Sequence, residues 1–137
     1  MKKFVSIICT LAISLGILSP VVSLAATKKN VDFNFDRREL NGYNTGKFHS
    51  LKKGKVVLTS SAHTNHLYNV NYRVKLVENR EWWPDRYYGS RSQVAAKEGS
   101  RSNRASWEVD VTGEYYLIFN KDVDHVKVKG DGYIRNQ

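Results

Sequence analysis

Apolar residues recur at every second position through most of this chain, and no run longer than ten residues spaces them as a helix requires. The pattern predicts strands with one buried face and few helices or none. In residues 31–35, Val31, Phe33 and Phe35 alternate with Asp32 and Asn34, a first strand. Residues 36–46 read as a polar connection, with turn signals at Asn41, Gly42, Asn44 and Gly46. A short edge strand over 47–51 is expected to carry Phe48 inward. Residues 55–61 form a strand with Val56 and Leu58 on one face, and 62–66 a loop. The longest alternation spans 67–78, placing Tyr68, Val70, Tyr72, Val74 and Leu76 on one face and Asn69, Asn71, Arg73 and Lys75 towards water.

Residues 79–88 break the period with Trp82, Trp83, Pro84 and Asp85. Residues 89–104, rich in Ser, Gly and Arg, read as a mobile connection. The repeated GSRS at 89–92 and 99–102 is ordinary turn chemistry, and a short strand over 93–98 would carry Val94 and Ala96 inward. In 122–136, Val126 and Val128 alternate with Lys127 and Lys129, a closing strand with a bend expected at Gly130.

The chain is organised around 105–120, ASWEVDVTGEYYLIFN, whose two alternating runs flank a Thr112-Gly113 turn signal. A three-residue loop sets Val111 opposite Tyr115, Val109 opposite Leu117 and Trp107 opposite Phe119, gathering every large apolar group on one face. A hairpin is therefore expected. The alternative is that the two runs lie in facing sheets.

Lys2 and Lys3 precede an apolar run from Phe4 to Leu18, and Ser23 and Ala25 fit a signal-peptidase site, so residues 1–25 read as a secretory signal peptide. The run is short for a membrane span. Cys9, the only cysteine, lies inside it behind Ile8, which does not suit a lipoprotein signal. The exported form then lacks cysteine, can form no disulfide, and must be held by a packed core. Cysteine-free exported proteins suggest a Gram-positive source. Residues 26–137 are enough for one domain burying about 65% of its unfolded surface. Seven or eight short strands predict an all-β fold, a single antiparallel, jelly-roll-like β-sandwich.

Of 22 Lys and Arg, two belong to the leader, leaving 20 against 13 Asp and Glu, a net charge of +7. Outside the cell such a surface favours teichoic acids, acidic polysaccharide, anionic lipid head groups or free DNA, without implying specific nucleic-acid recognition. Solubility alone is the plain alternative.

The segments LKKGKVVLTSS at 51–61, YRVKLVE at 72–78 and VTGEYYLIFNK at 111–121 resemble the bacterial pre-peptidase C-terminal domain. The shared element is a late Gly-x-Tyr-Tyr, here Gly113, Tyr115 and Tyr116. That resemblance implies a secreted jelly-roll sandwich with a binding or accessory role, and it transfers no catalytic residue.

The candidate site is aromatic and cationic. Trp82, Trp83, Tyr87 and Tyr88 flank Pro84, with Arg80, Arg86 and Arg91 interleaved. Aromatic faces stack on sugar rings, lipid interfaces or bases, while arginines reach anionic groups. A Trp plugging the end of the sandwich, with the tyrosines continuing a strand, is the structural alternative. His63 and His66 lack a nearby third metal ligand. Asp122, Asp124 and Asp131 lie near Gly130 and Gly132 without a calcium-ligand spacing. Glu108 and Asp110 share one exposed face, and no nucleophile elbow or phosphate loop is present.

The sequence thus points to a small secreted, monomeric, non-enzymatic protein without cofactors. It is expected to engage an anionic or sugar-rich surface such as the bacterial cell wall through Arg80, Trp82, Trp83, Arg86, Tyr87, Tyr88 and Arg91. Action on anionic membranes as an antimicrobial or toxin-like factor is the alternative, with an accessory or inhibitory role beside a secreted enzyme as a third reading.

Overall fold

A computed structural model describes residues 28–137; the signal-peptide reading of 1–25 lies outside them. Nine strands form β1 (Lys29–Phe35), β2 (Glu39–Asn41), β3 (His49–Leu51), β4 (Gly54–Thr64), β5 (Val70–Glu78), β6 (Arg86–Ala95), β7 (Arg101–Val109), β8 (Gly113–Asn120) and β9 (Val128–Asn136). They make two antiparallel sheets in the orders β1-β9-β4-β7 and β2-β8-β5-β6, with β3 pairing β8 beyond β2 on the same edge. Counting β2 and β3 as one interrupted strand, this is the strand order of a jelly roll, so the all-β sandwich expected from the alternation is what the chain forms.

The core lies between the sheets. Phe33 stacks on Phe119 with ring centroids 4.4 Å apart, and Tyr72 sits 5.7 Å from Phe33. Trp107, Val109, Tyr115, Leu117 and Phe119 all join this core, but not as a hairpin. β7 pairs β4, placing Trp107 opposite Val56, whereas β8 pairs β5, placing Leu117 opposite Leu76. Residues 110–112 therefore cross between sheets, and the inward alternation comes from two facing surfaces rather than one. Val111 is exposed, and its carbonyl accepts the Tyr115 hydroxyl at 2.5 Å.

Other expectations need correction for local reasons. The 36–46 connection contains β2, too short to show a period. In β3 it is His49 and Leu51 that point inward, while Phe48 turns to the outside. β4 runs on to Thr64, into the expected loop. Tyr68 and Leu67 precede β5 and are exposed.

The supposed mobile stretch 89–104 is mostly strand. β6 and β7 are edge strands, and Asn103 joins them by accepting from the Val94 amide at 3.0 Å and donating to the Val94 carbonyl at 2.9 Å. Between Lys75–Ser90 and Val77–Tyr87 the pairing slips by one residue, a bulge with Gly89 at φ 91°. That slip resets the parity of β6, so Gln93 and Ala95 point inward rather than Val94 and Ala96. β9 runs between β1 and β4, and Gly130 and Gly132 face Phe33, Thr59 and Ser60 so closely that no Cβ fits.

Candidate functional site

Every second residue of β5 and β8 points away from the core, and on the outer face of the β2-β8-β5-β6 sheet these are not all polar. Val77 pairs with Tyr116 and Lys75 with Ile118, and Val77, Tyr116 and Ile118 form a second buried apolar cluster. Two loops cover it. The turn between β2 and β3 brings Tyr43 to 5.6 Å and Phe48 to 6.1 Å from the Tyr116 ring, with Tyr43 and Phe48 edge to face. Gly42 opens that turn by donating to the Leu117 carbonyl at 2.9 Å, an approach that a Cβ at 2.8 Å from the same oxygen would obstruct.

The other loop is 79–85, tied at three points. The Asn79 amide donates to the Glu114 carbonyl at 2.9 Å, the Arg80 amide to Asp85 Oδ1 at 3.0 Å, and the Tyr116 hydroxyl to Asp85 Oδ2 at 2.6 Å. Burial, then the Asp85 carboxylate, push the Tyr116 phenol well above its usual pKa, so it remains a donor. This held loop presents Trp82, 85% exposed, and Trp83, 71% exposed. Tyr87, 61% exposed, stands next to Val77 across the pairing. Tyr87, Val77, Tyr116, Tyr43 and Phe48 thus make an aromatic lane across the sheet. Residues Tyr43, Phe48, Arg80, Glu81 and Glu114 border a cleft of about 760 Å³ at its end.

Strand parity divides the residues selected from the sequence. Arg80, Trp82, Trp83 and Tyr87 share this outer region, with Arg80 Nε 3.6 Å from Glu78 Oε1. Arg86, Tyr88 and Arg91 take the opposite parity. Tyr88 packs 6.0 Å from Tyr115, its hydroxyl meeting Glu78 and the Asp110 amide, each at 3.4 Å. Arg86 lies over the Tyr88 ring and pairs with Asp110. Arg91 Nε donates to the Ser106 carbonyl at 2.9 Å, above the Trp107 ring. These three hold the β6 edge to β7 and to its exit.

Farther along the same outer face, Asn71, Arg73, Ser92, Asn120 and Asp122 line a polar cleft of about 500 Å³. Arg73 and Asp122 pair at 2.7 Å, and the side-chain oxygen of Asn120 is buried without a partner. The sequence reading missed Tyr43, Phe48, Tyr116, Arg73 and Asn120. One signal for Tyr116 was present, because adjacent Tyr115 and Tyr116 on a strand must face opposite sides.

The remaining candidates stay apart. His63 is exposed in β4, and His66 lies in the next loop, accepting the Tyr68 amide at 3.3 Å. Asp122 is engaged by Arg73, Asp124 accepts the amide of His125, and Asp131 lies in β9 opposite Asp32. Among the described residues no three His, Cys, Asp or Glu side chains gather where they could hold a metal ion. Glu108 pairs across the sheet with Lys55, while Asp110 is held by Arg86.

No protein-family model matches this chain, and no curated protein matches it. Solved structures share its fold. A chain described as "CBM4 structure and function" superposes with a TM-score of 0.57 at 10% identity, covering 82% of this chain and 78% of that one. The CBM22-1 xylan-binding domain of Xyn10C from Paenibacillus barcinonensis gives 0.52 at 7%, covering 81% of each chain. The carbohydrate binding module CBM6cm-2 of Cellvibrio mixtus lichenase 5A, in complex with cellotriose, gives 0.50 at 9%, covering 80% and 87%. At such identities the likeness establishes a shared β-sandwich architecture.

Proposed function

We propose that this protein is a secreted, non-enzymatic module that binds a polysaccharide chain on the outer face of its β2-β8-β5-β6 sheet, with the bacterial cell wall as its target. The observation that carries the reading is the pair of exposed indoles, Trp82 and Trp83, on the loop that the Asp85–Tyr116 contact ties to the outer face of the sheet. Exposed aromatic faces on a fixed loop suit sugar rings, which offer apolar C–H faces for stacking. Arg73, Lys75, Asn71 and Ser92 along the same face would meet hydroxyl and anionic groups. The solved structures that share the fold include a xylan-binding domain and a module in complex with cellotriose, which supports a sugar ligand. The net basic composition supports an anionic one.

Sedimentation of residues 26–137 with isolated walls, with and without teichoic acid, and with xylan and cellulose, tests the reading across a salt series. Binding to at least one glycan is expected, falling about tenfold for Trp82→Ala with Trp83→Ala, since stacking on an aromatic side chain is worth roughly 1–3 kcal/mol. Salt-sensitive binding that requires teichoic acid would place the charge contacts first. Unchanged binding by the double variant would remove the aromatic loop from the site. Binding only to anionic vesicles would favour the membrane alternative.

A further inference from the structure

The two lateral sides of the sandwich are closed differently. On one, β6 and β7 are joined by Asn103 and by Arg91 reaching the Ser106 carbonyl. On the other, β1 and β3 form the sheet edges, bridged by Lys47, whose ammonium reaches the Asp32 carbonyl at 3.2 Å and its carboxylate at 2.7 Å. Behind that bridge lies a cavity of about 330 Å³.

Its composition is amphipathic. Val31, Leu40, Leu117 and Phe119 contribute apolar surface, while Lys29 and Lys47 line it from β1 and from the turn before β3. His49, only 8% exposed, lines it as well. Burial, then the charges of Lys29 and Lys47, pull the His49 imidazole below its usual pKa, so both ammonium groups act on the space that it occupies. Of the two, Lys47 is shared with Asp32. Lys29 therefore leaves an excess of positive charge beside an apolar wall.

We propose that this lateral cavity is a binding site for a small amphipathic carboxylate, with the alkyl chain against Val31, Leu40, Leu117 and Phe119 and the carboxylate at Lys29 and His49. A sugar would leave its hydroxyls unpaired against those apolar side chains, and a neutral hydrocarbon would not use the charge. The cavity has room for about ten non-hydrogen atoms at roughly 30 Å³ each, the size of octanoate. Phe48, at the end of the aromatic lane, also borders this cavity, but the carboxylate site does not depend on the glycan reading.

The test is titration of isotope-labelled protein with octanoate, followed by NMR. Saturable shifts are expected at His49, Val31, Leu40 and Leu117, with a Kd of roughly 0.1–1 mM for a ligand of this size. Octanol should bind about fivefold more weakly or worse, and Lys29→Met should reduce octanoate affinity by a similar factor while leaving the spectrum otherwise native. The absence of saturable shifts up to about 10 mM overturns the proposal. So do equal affinities for octanol and octanoate, or shifts confined to Trp82, Trp83 and Tyr87. The octanol comparison uses the unaltered protein, so it decides the matter even where a variant fails to fold.

Discussion

The Tyr116 hydroxyl donates to Asp85 at 2.6 Å, and through that bond the outer face of a sheet holds the loop that displays both exposed tryptophans. Asp85 also accepts the Arg80 amide, so one carboxylate organises both ends of the loop. The aromatic surface is consequently pre-arranged, which lowers the ordering cost of any ligand that stacks there.

Removing that bond without removing an aromatic ring tests the arrangement. Tyr116→Phe is expected to cost about 1.5–3 kcal/mol of stability, the range for a hydrogen bond to a charged group. The sharper readout is local. Amides of 80–84 should exchange faster with deuterium while those of β5 and β8 remain protected, and glycan affinity should fall severalfold with Trp82 and Trp83 intact. Unchanged exchange in the loop would show that its shape comes from elsewhere.

Lys121 holds another loop pair. Its side chain is 3% exposed, and its ammonium donates to the carbonyls of Asp36, Arg37 and Val123 at 2.7, 2.5 and 2.9 Å, with the Phe35 ring 5.1 Å away. Three converging carbonyls need a compact cation with three donors, which a planar guanidinium cannot imitate. Lys121→Met should cost about 2–4 kcal/mol and lower the melting temperature by roughly 10 °C or more, and Lys121→Arg should recover little of it. Thermal denaturation of the three proteins measures this directly.

How much of this was legible in the chain depends on the range of the interaction. The period-two alternation located the inward faces of β1, β4, β5, β7 and β8, because burial on one side imposes that period locally. It could not tell a hairpin from two facing strands, since Trp107 and Leu117 reach the same core either way. A one-residue bulge at Gly89 reversed the parity of Val94 and Ala95, and nothing local announces a bulge in a Ser- and Arg-rich edge. Trp82, Trp83 and Tyr87 were legible as neighbours in sequence. Tyr43, Phe48 and Tyr116 join them only through tertiary pairing, and parity turned Arg86, Tyr88 and Arg91 to structural duties.

The glycines of β9 make a prediction with an internal control. A Cβ on Gly132 would run into the Thr59 carbonyl and Ser60, and one on Gly130 into the Phe33 ring and the Ser61 carbonyl. Either Gly→Ala change should destabilise by about 1–3 kcal/mol or more, because a backbone neighbour cannot move aside as a flexible side chain can. Gly113 has nothing within 4 Å of its Cβ position and no positive φ. Gly113→Ala should therefore be neutral, or stabilise by about 0.4–1 kcal/mol through the unfolded chain. Urea denaturation that ranked Gly113→Ala with the other two would contradict the packing described for β9.

His49 should make the stability of the fold depend on pH in a definite direction. Its pKa in the folded protein lies below the ordinary 6.5, first because the ring is buried and then because Lys29 and Lys47 oppose a further positive charge. The unfolded chain, where the imidazole is hydrated, takes up its proton at about the ordinary value, whereas the folded state resists it. Stability is therefore full above about pH 6.5 and declines as the pH falls, until the folded protein also takes up the proton and the loss levels off. His49→Gln should flatten this part of the profile, measured as urea midpoints at about pH 7.5 and 5. Lys29→Met should shrink the loss without abolishing it, since burial is the larger cause. A wild-type decline that survives in His49→Gln would assign the pH dependence to another group.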